Sequence, residues 1–358
     1  MNVSDSVVAF LHAMPKVDIH SHLLGTIRKA TFLDLIEQRG FPISKAEVED
    51  FYTRGDKPKG VLHILRALDQ YILTEPENFH RLVYEFLEDM AAHNVRYSEF
   101  FWNPTGTANV SGVPYPAAVD AMIRAVHEAQ RDFGIIGRII PSIDRQASTT
   151  DAVEMVQWVI DHPRKEVLGI GIDYRENDFP PELFWKAYRN AREADLKVTA
   201  HAGEFGMPWT NVETAVELLK VDRVDHGYTI VDNPALARRY ADGGIVFTVV
   251  PTNSYYLRTL PPDRWAKDHP IRAMAALGLH IHPNTDDPTL HHVTPTQAWT
   301  MMMKDFDFTL DDILTFTLNG LKGAWLPEAL RRQWLSEWPM EFARLRRDLG
   351  LTSDLTEK

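Results

Sequence analysis

The sequence predicts a (β/α)8 barrel, with extra helices after the first βα unit and a helical C-terminal tail. Three observations favour this fold. Short β-branched runs alternate with longer helical stretches, eight such runs can be counted, and the most conspicuous polar residues follow them. The length of 358 residues suits one large barrel domain, because α/β barrels often exceed the usual domain size. We therefore expect residues 1–358 to form a single domain.

The predicted strands are short and separated by helical segments of the length that a crossover connection needs. In chain order they are KVDIHSH (16–22), VRYSEFFW (95–102), GIIGRIIPSI (134–143), EVLGIGIDY (166–174), KVTAHAG (197–203), RVDHGY (223–228), GIVFTVVP (244–251) and LHIHPN (279–284).

The connecting segments are amphipathic, as the segments at 76–94 and 116–134 show most clearly. The second keeps its apolar side chains along one helical stripe, formed by Val119, Met122, Ile123, Val126 and Ala129. The segment 40–75 is an insertion that we expect to add helices over one end of the barrel. The tail at 306–349 is also predicted to be helical, and it can pack through Trp325, Leu326, Leu330, Trp334, Leu335 and Trp338.

Composition excludes several classes of protein. A net charge of -12 and a pI near 5.7 argue against a nucleic-acid or anionic-membrane partner, since both need a basic face. The chain has no apolar run of transmembrane length and no basic n-region at its start, so a cytoplasmic location is expected. Cysteine is absent, so any metal must be held by His, Asp or Glu.

The most conspicuous polar residues follow four of the predicted strands. His20 and His22 end the first strand, His201 with Glu204 the fifth, His226 the sixth, and Asp286 with Asp287 the eighth. In a barrel the carboxyl ends of all strands surround one mouth, so these segments are expected to converge there. Three imidazoles and a carboxylate suit one zinc ion, although iron, manganese or cobalt also fits such ligands. Glu204 and His226 stand beside the ligands and are titratable, which favours an acid–base role.

Each of these features also has an ordinary structural interpretation. A lone His-x-His is more often incidental than metal-binding, and Asp286–Asp287 before a proline is common turn chemistry. For His280 with His282, and for His291 with His292, we favour a structural or rim position. The set at the strand ends differs, because its members share that position across distant segments.

The motifs PKVDIHSHLLGTI, VTAHAGE, DHGYTI, PTNSYY and NTDDP together resemble the adenosine deaminase family of the amidohydrolase superfamily. The resemblance runs from about residue 15 to 295. It implies a barrel with one zinc ion held by His20, His22, His201 and Asp286. It also implies that Glu204 protonates a purine ring nitrogen, His226 accepts a proton from the attacking water and Asp287 hydrogen-bonds another ring nitrogen.

Two departures from the family pattern concern the substrate. Leu24 stands where the family has an acidic residue, which in adenosine deaminases meets the ribose. The fourth strand ends in DYREND rather than in a small glycine-containing segment, so Arg175 and Glu176 are candidate substrate contacts. Arg175 could pair with a phosphate or carboxylate. Alternatively, Arg175 and Glu176 form only an ion pair at the rim.

Several functions therefore stay open. Adenosine or 2'-deoxyadenosine is the default substrate by resemblance, and adenine, an N6-modified purine or another aminated heterocycle is the alternative. A related hydrolase acting on an amide or ester would use the same metal. A binding protein with a structural zinc would need no Glu204–His226 pair. The expected partner is a small molecule, and the oligomeric state is open.

The Leu24 departure generates one test. If Leu24 faces the ribose, Leu24→Asp should raise turnover of adenosine relative to that of base-only substrates, because an aspartate can pair a sugar hydroxyl. An unchanged ratio would mean that Leu24 does not meet the sugar.

Overall fold

Eight parallel strands form one sheet in the order β1 to β8 in the computed structural model, which describes residues 3–55 and 60–351. This arrangement confirms the predicted (β/α)8 barrel. The strands are β1 Lys16–His22, β2 Val95–Trp102, β3 Ile136–Asp144, β4 Gly169–Asp173, β5 Lys197–Ala202, β6 Arg223–His226, β7 Val246–Val249 and β8 His280–Pro283.

Helices surround the barrel and extend it at both ends of the chain. The α-helices of the described residues are α1 Asp5–Ala13, α2 Lys29–Arg39, α3 Lys45–Phe51, α4 Leu62–Tyr71, α5 Pro76–Ala91, α6 Pro104–Ser111, α7 Tyr115–Phe133, α8 Thr149–Asp161, α9 Trp185–Glu193, α10 Trp209–Thr214, α11 Pro234–Asp242, α12 Ser254–Thr259, α13 Trp265–Asp268, α14 Ile271–Ala276, α15 Pro288–His291, α16 Pro295–Lys304, α17 Leu310–Gly323 and α18 Glu328–Asp348. Single turns of tighter or wider helix occupy Leu23–Thr26, Pro181–Phe184, Ala215–Leu219 and Tyr228–Asp232.

Several strands end earlier than predicted, and the backbone gives the reason. β5 stops at Ala202 because Gly203 has a φ of 66°. β6 stops at His226, where φ turns to 66°. A left-handed residue cannot continue the extended ladder, so the chain turns at the mouth of the barrel. β4 is also shorter than predicted and begins only at Gly169.

The barrel closes between β8 and β1 through a short seam rather than a full ladder. Ser21 and Asp286 form an isolated parallel bridge. In this bridge the Asp286 N–H donates to the His20 carbonyl at 2.9 Å, and the His22 N–H donates to the Asp286 carbonyl at 2.9 Å. The main chain of Asp286 is therefore held between the two histidines of β1.

Side chains complete the same seam below this bridge. The Asn284 side-chain oxygen accepts from the Ile19 N–H at 2.9 Å. Asp18 accepts from both the main-chain N–H and the hydroxyl of Thr285, at 3.1 and 2.8 Å. Burial raises the pKa of Asp18 to about 6, and these hydrogen bonds act against that rise. Side chains thus replace ladder hydrogen bonds where the last strand is too short to pair.

The predicted amphipathic helices are α5 and α7, which pack on the outside of the barrel. Four residues of the predicted α7 stripe are buried, and Ile123 is half-buried beside them. The insertion at 40–75 contains α3 and α4, and α4 covers the cavity at the mouth through Leu62 and Leu65. Arg66 fixes this helix to the barrel by pairing with Asp144 at 2.5 Å. Residues 56–59 of the insertion lie outside the described residues.

The C-terminal tail covers the amino-terminal end of the first strands, as its aromatic residues predict. Trp338 is fully buried and stacks on Trp334 with ring centroids 5.0 Å apart. The two rings belong to a small apolar cluster with Val17, Ile19 and Tyr97 of β1 and β2. Helix α18 is therefore part of the packing beneath β1. Among residues 3–55 and 60–351, no helix is long and apolar enough to cross a membrane.

The packing of the tail predicts a large loss of stability when the Trp338 side chain is removed. Trp338→Ala should lower the free energy of unfolding by about 3–5 kcal/mol, because it leaves a cavity in a fully buried cluster. Urea unfolding followed by fluorescence measures the change. The matched control is Trp185→Ala, since Trp185 is 46% exposed, and its cost should stay under about 1 kcal/mol. Equal losses in the two variants would show that α18 contributes little to the packing.

Candidate active site

Side chains from β1, β5 and the residues after β8 converge at the carboxyl end of the barrel. The His20 and His201 Nε2 atoms lie 3.0 Å apart, and the His22 and His201 Nε2 atoms lie 3.1 Å apart. Oδ1 of Asp286 lies 3.2 Å from Nε2 of His22 and 3.6 Å from Nε2 of His20. The structure thus brings together the four residues that the sequence predicts as metal ligands.

This spacing fits a single metal ion. Ligand atoms about 2.0–2.2 Å from zinc lie roughly 3.0–3.5 Å from one another at ordinary coordination angles. Three Nε2 atoms that face each other so closely form a poor hydrogen-bonded set, because neutral imidazoles offer one donor and one acceptor each. The chemistry of the donor set, three imidazole nitrogens and one carboxylate oxygen, is that of a zinc or related divalent site.

The opposite ring nitrogens are oriented by buried acceptors, as metal-binding histidines usually are. Nδ1 of His20 lies 2.8 Å from the Thr248 hydroxyl, which itself donates to Asp225 at 2.8 Å. Nδ1 of His201 faces the other oxygen of Asp225 at 3.5 Å. Nδ1 of His22 faces Asp173 at 3.3 Å. Each imidazole is therefore turned so that its Nε2 points to the common centre.

Glu204 and His226 form a second pair beside these ligands. Oε2 of Glu204 lies 3.6 Å from Nε2 of His226, and that nitrogen is buried without a hydrogen-bond partner. Oε1 of Glu204 accepts from the Asn253 amide at 3.0 Å. Atoms of His226 also lie within 4.8 Å of the ligand atoms of His20, His201 and Asp286. His226 therefore faces both the metal site and the Glu204 carboxyl.

Burial shifts the pKa values of this pair in opposite directions. The pKa of Glu204 is raised well above its ordinary value, first by burial and then by the charge of Asp286, with the Asn253 hydrogen bond acting against the rise. The pKa of His226 is lowered well below its ordinary value, first by burial and then by His20 and His201. Glu204 is thus disposed to carry a proton, and His226 to lack one.

Asp287 reaches into the same cavity from the residue after the ligand Asp286. Its Oδ1 is buried without a hydrogen-bond partner. Burial, followed by the charge of Asp286, raises the pKa of Asp287 to about 8. A Cβ at Gly25 would stand 1.9 Å from that Oδ1, so only glycine leaves room for this carboxyl. Asp287 therefore offers a protonated or shared hydrogen-bonding group to a molecule in the cavity.

Three residues at the strand ends adopt a left-handed backbone that side chains disfavour. Tyr174 after β4, His226 at β6 and Asp286 after β8 have φ values of 67°, 66° and 63°. Each costs roughly 1–2 kcal/mol, and such conformations cluster at functional sites. No motif in the sequence signals this feature, since none of the three is glycine.

These groups line a cavity of about 560 Å³, within the range of small-molecule sites. The wall combines the catalytic candidates with apolar side chains of α4 and with α12. Its residues are His22, Gly60, Val61, Leu62, Leu65, Asp173, Tyr174, Arg175, Asn177, His201, Glu204, Phe205, His226, Asn253, Ser254, Tyr255, Arg258, Thr259, Asp286, Asp287 and His291.

Two predicted substrate contacts are not brought to this wall. Leu24 is 5% exposed and packs in the main hydrophobic cluster, so the expected meeting with a ribose has no support in the geometry. An aspartate at that position would be buried among apolar groups. Glu176 is also buried, and its carboxylate points towards the chain after β5 rather than into the cavity.

Arg175 does line the cavity, and its side chain is exposed. Its Nε donates to Asn177 at 3.0 Å, so the predicted ion pair with Glu176 is wrong. Glu176 is buried instead, and its carboxylate accepts from the Gly203 N–H and the Asn211 side-chain amide. A contact between Arg175 and a substrate stays a prediction.

For His291 a structural or rim position is expected, and the structure excludes the rim. His291 is buried at the end of α15, lines the cavity and lies 3.8 Å from Asp287. His282, by contrast, is structural, since its ring nitrogens face the carbonyls of Phe316 and Val17 at 2.9 and 3.2 Å.

Sequence reasoning missed Asn253, Thr248 and Asp225, which hold Glu204 and the histidine ligands. Asn253 lies within the PTNSYY motif and Asp225 directly precedes His226, so motif position gave a signal for these two. Thr248 is an ordinary strand residue, and nothing in its local sequence distinguishes it.

Comparison with known proteins agrees with this geometry. The fold superposes with a TM-score of 0.97 on the crystal structure of an amidohydrolase from Burkholderia ambifaria with bound Zn, at 60% identity over 98% of this chain and 96% of that one. It superposes with a TM-score of 0.84 on adenine deaminase from Arthrobacter aurescens, at 26% identity over 93% and 100% of the two chains. The chain is also 27% identical to adenine deaminase from Ralstonia pickettii, over 94% of this chain and 97% of that protein.

The family model described as adenosine deaminase matches residues 15–338, which span every predicted ligand and the Glu204–His226 pair. This match confirms the resemblance that the motifs indicated. The chain belongs to the adenosine deaminase family and is a hydrolase acting on carbon–nitrogen bonds other than peptide bonds.

Proposed function

We propose that this protein is a metal-dependent hydrolytic deaminase of a 6-aminopurine, with the free base adenine as its leading substrate. The observation that carries the proposal is the Glu204–His226 pair, 3.6 Å apart and only 12% exposed at the glutamate side chain, beside four converging ligand atoms. Ester or amide hydrolysis requires a nucleophilic water, but it does not require a proton donor for a ring nitrogen. The pairing of a proton-carrying carboxyl with a neutral imidazole supports deamination.

His20, His22, His201 and Asp286 would hold one zinc ion at this site. When bound, such an ion lowers the pKa of a water enough to supply a nucleophile near neutral pH. The three orienting groups, Thr248, Asp173 and Asp225, contact the Nδ1 atoms and leave each Nε2 directed towards the proposed ion.

Glu204 and His226 divide the proton transfers. The Glu204 proton belongs on Oε2, because Oε1 accepts from Asn253. Glu204 would donate this proton to a ring nitrogen beside the amino-bearing carbon, which makes that carbon more electrophilic. His226, with its free Nε2, would accept the proton of the attacking water. A carbon–oxygen bond forms, and the proton held by His226 passes to the amino group. The carbon–nitrogen bond then breaks and ammonia leaves. The hydroxyl proton returns to Glu204, which leaves a 6-oxopurine with its ring nitrogen protonated and both residues in their starting states.

Asp287 would fix the base in the cavity. Its partnerless Oδ1 can form a hydrogen bond with another purine ring nitrogen, and its raised pKa leaves a proton for that bond near neutral pH. His291 and Gly25 enclose the carboxyl, so its direction is set before a ligand arrives.

The choice between adenine and adenosine depends on whether the site offers contacts to a ribose. Adenosine was the default from the motifs, but the curated relatives named above are adenine deaminases, which favours the alternative. Leu24 packs in the core and offers no polar partner to a ribose. The cavity of about 560 Å³ has space beyond a purine ring, so a substituent on the amine or ring stays testable.

The first test is ammonia release by zinc-loaded protein across adenine, adenosine, 2'-deoxyadenosine, AMP, N6-substituted purines, guanine and aminated pteridines. We expect adenine to give the highest kcat/KM, because the site offers fixed groups for the base and none identified for the sugar. A preference for adenosine would overturn the substrate assignment. Absence of turnover on every purine, with zinc bound, would overturn the proposed reaction.

The second test separates proton donation from metal binding. Glu204→Gln retains an acceptor for Asn253 but removes the transferable proton, so kcat should fall by about 10²–10⁴-fold. Zinc content, measured by atomic absorption, should stay at the wild-type value because Glu204 is not among the ligands. Glu182→Gln, at an exposed position, is the control and should match wild type. A variant that loses zinc in parallel with activity would place Glu204 among the ligands instead.

A further inference from the structure

Glu176 makes contacts that neither the motifs nor the proposed reaction assign. It lies in the loop after β4 and is 2% exposed. Oε1 accepts from the Gly203 N–H at 3.0 Å and from the Asn211 side-chain amide at 2.8 Å. Oε2 accepts from the Glu204 N–H at 3.2 Å. One carboxylate therefore binds two consecutive main-chain amides of the segment that carries Glu204.

The donors to this buried carboxylate are all neutral amides. Burying a charged group is costly unless its hydrogen bonds are satisfied, and here both oxygens have donors. The backbone that it holds is also constrained. Gly203 has a φ of 66°, and a Cβ there would stand 2.5 Å from the Thr229 hydroxyl. The turn between His201 and Glu204 therefore has little conformational freedom. The Glu176 carboxylate accepts hydrogen bonds from its Gly203 and Glu204 N–H groups.

We propose that Glu176 is a positioning residue for the proton donor, acting by fixing the main chain at Gly203 and Glu204. It holds Glu204 from the backbone side, while Asn253 holds the carboxyl from the other side at 3.0 Å. Together they set the direction of Oε2 towards His226. The segment DYREND then takes a role in catalytic geometry rather than in direct substrate contact.

Electrostatics supports the same assignment. The negative charge of Glu176 contributes to the raised pKa of Glu204, after burial and the charge of Asp286. Two other roles are disfavoured by the contacts. Glu176 does not line the cavity, so it is not a substrate contact. Both of its oxygens are engaged by N–H groups, so it is not placed to hold a second metal ion.

The test compares Glu176→Gln with Glu182→Gln, an exposed glutamate of the same connection. An amide at 176 keeps one acceptor oxygen but turns an N–H₂ group towards a main-chain donor. We expect kcat on the best purine to fall about 10²-fold, since small misplacements of a catalytic group cost this much. KM should change less than threefold and zinc content should not change. The control should match wild type in all three.

A double-mutant cycle distinguishes positioning from general structure. If Glu176 acts through Glu204, adding Glu176→Gln to Glu204→Gln should lower kcat less than threefold further, because the group it positions is already gone. Multiplication of the two losses would overturn the proposal. So would a KM rise that accounts for the whole effect, since that points to substrate contact.

A second measurement does not depend on turnover. Hydrogen exchange of the amides of Gly203 and Glu204, read by mass spectrometry, should accelerate in Glu176→Gln and not in Glu182→Gln. Unchanged exchange would overturn the positioning role. The kinetic test rests on the proposed deaminase function. If the wild-type protein were inactive, that function would be refuted, and the hydrogen-exchange measurement alone would test the role of Glu176.

A second variant is available if Glu176→Gln fails to fold. Asn211→Ala removes one of the three hydrogen bonds to Glu176 and should lower kcat about fivefold. A wild-type kcat in that variant would overturn the proposal.

Discussion

The main chain of Asp286 is the constraint on which the rest of this molecule depends. It forms the bridge that joins the last strand to the first, between the carbonyl of His20 and the N–H of His22. The same residue turns its carboxylate towards the Nε2 atoms of those two histidines. Barrel closure and ligand placement are therefore one event. Its left-handed backbone, costing roughly 1–2 kcal/mol, is held by the hydrogen bonds of the seam.

Burial gives the site its chemical asymmetry. Glu204 and His226 share one dry environment, which disfavours the charged form of each. Burial raises the pKa of the Glu204 carboxyl and lowers the pKa of the His226 imidazole. The same environment therefore favours a protonated acid and a neutral base side by side. Nearby charges strengthen both shifts. The surrounding protein supplies fixed amides and hydroxyls in place of water, and the Asn253 amide and the Thr248 hydroxyl are the main examples.

Much of this was available from the sequence, and the limits have physical causes. Periodicity located all eight strands, and the strand-end residues predicted as metal ligands lie together, because parallel strands bring their carboxyl ends to one mouth. Strand ends were less accurate, since they depend on left-handed residues such as His226 that no composition rule signals. Glu176 and Leu24 were misplaced because the direction of a loop side chain depends on distant partners. Glu176 meets amides 27 and 28 positions away, and sequence spacing carries no information about that turn.

The seam between β8 and β1 affects when the barrel can close during folding and synthesis of the chain. Its hydrogen bonds join residues 264 to 267 positions apart, such as Ile19 with Asn284 and Asp18 with Thr285. Contacts of such separation carry the largest loop-closure entropy and form after local structure is in place. A chain emerging from the ribosome carries His20 and His22 long before Asp286 exists. The complete set of proposed ligands therefore exists only after residue 286 has been synthesised, and occupancy of the proposed metal site would report a barrel that has closed.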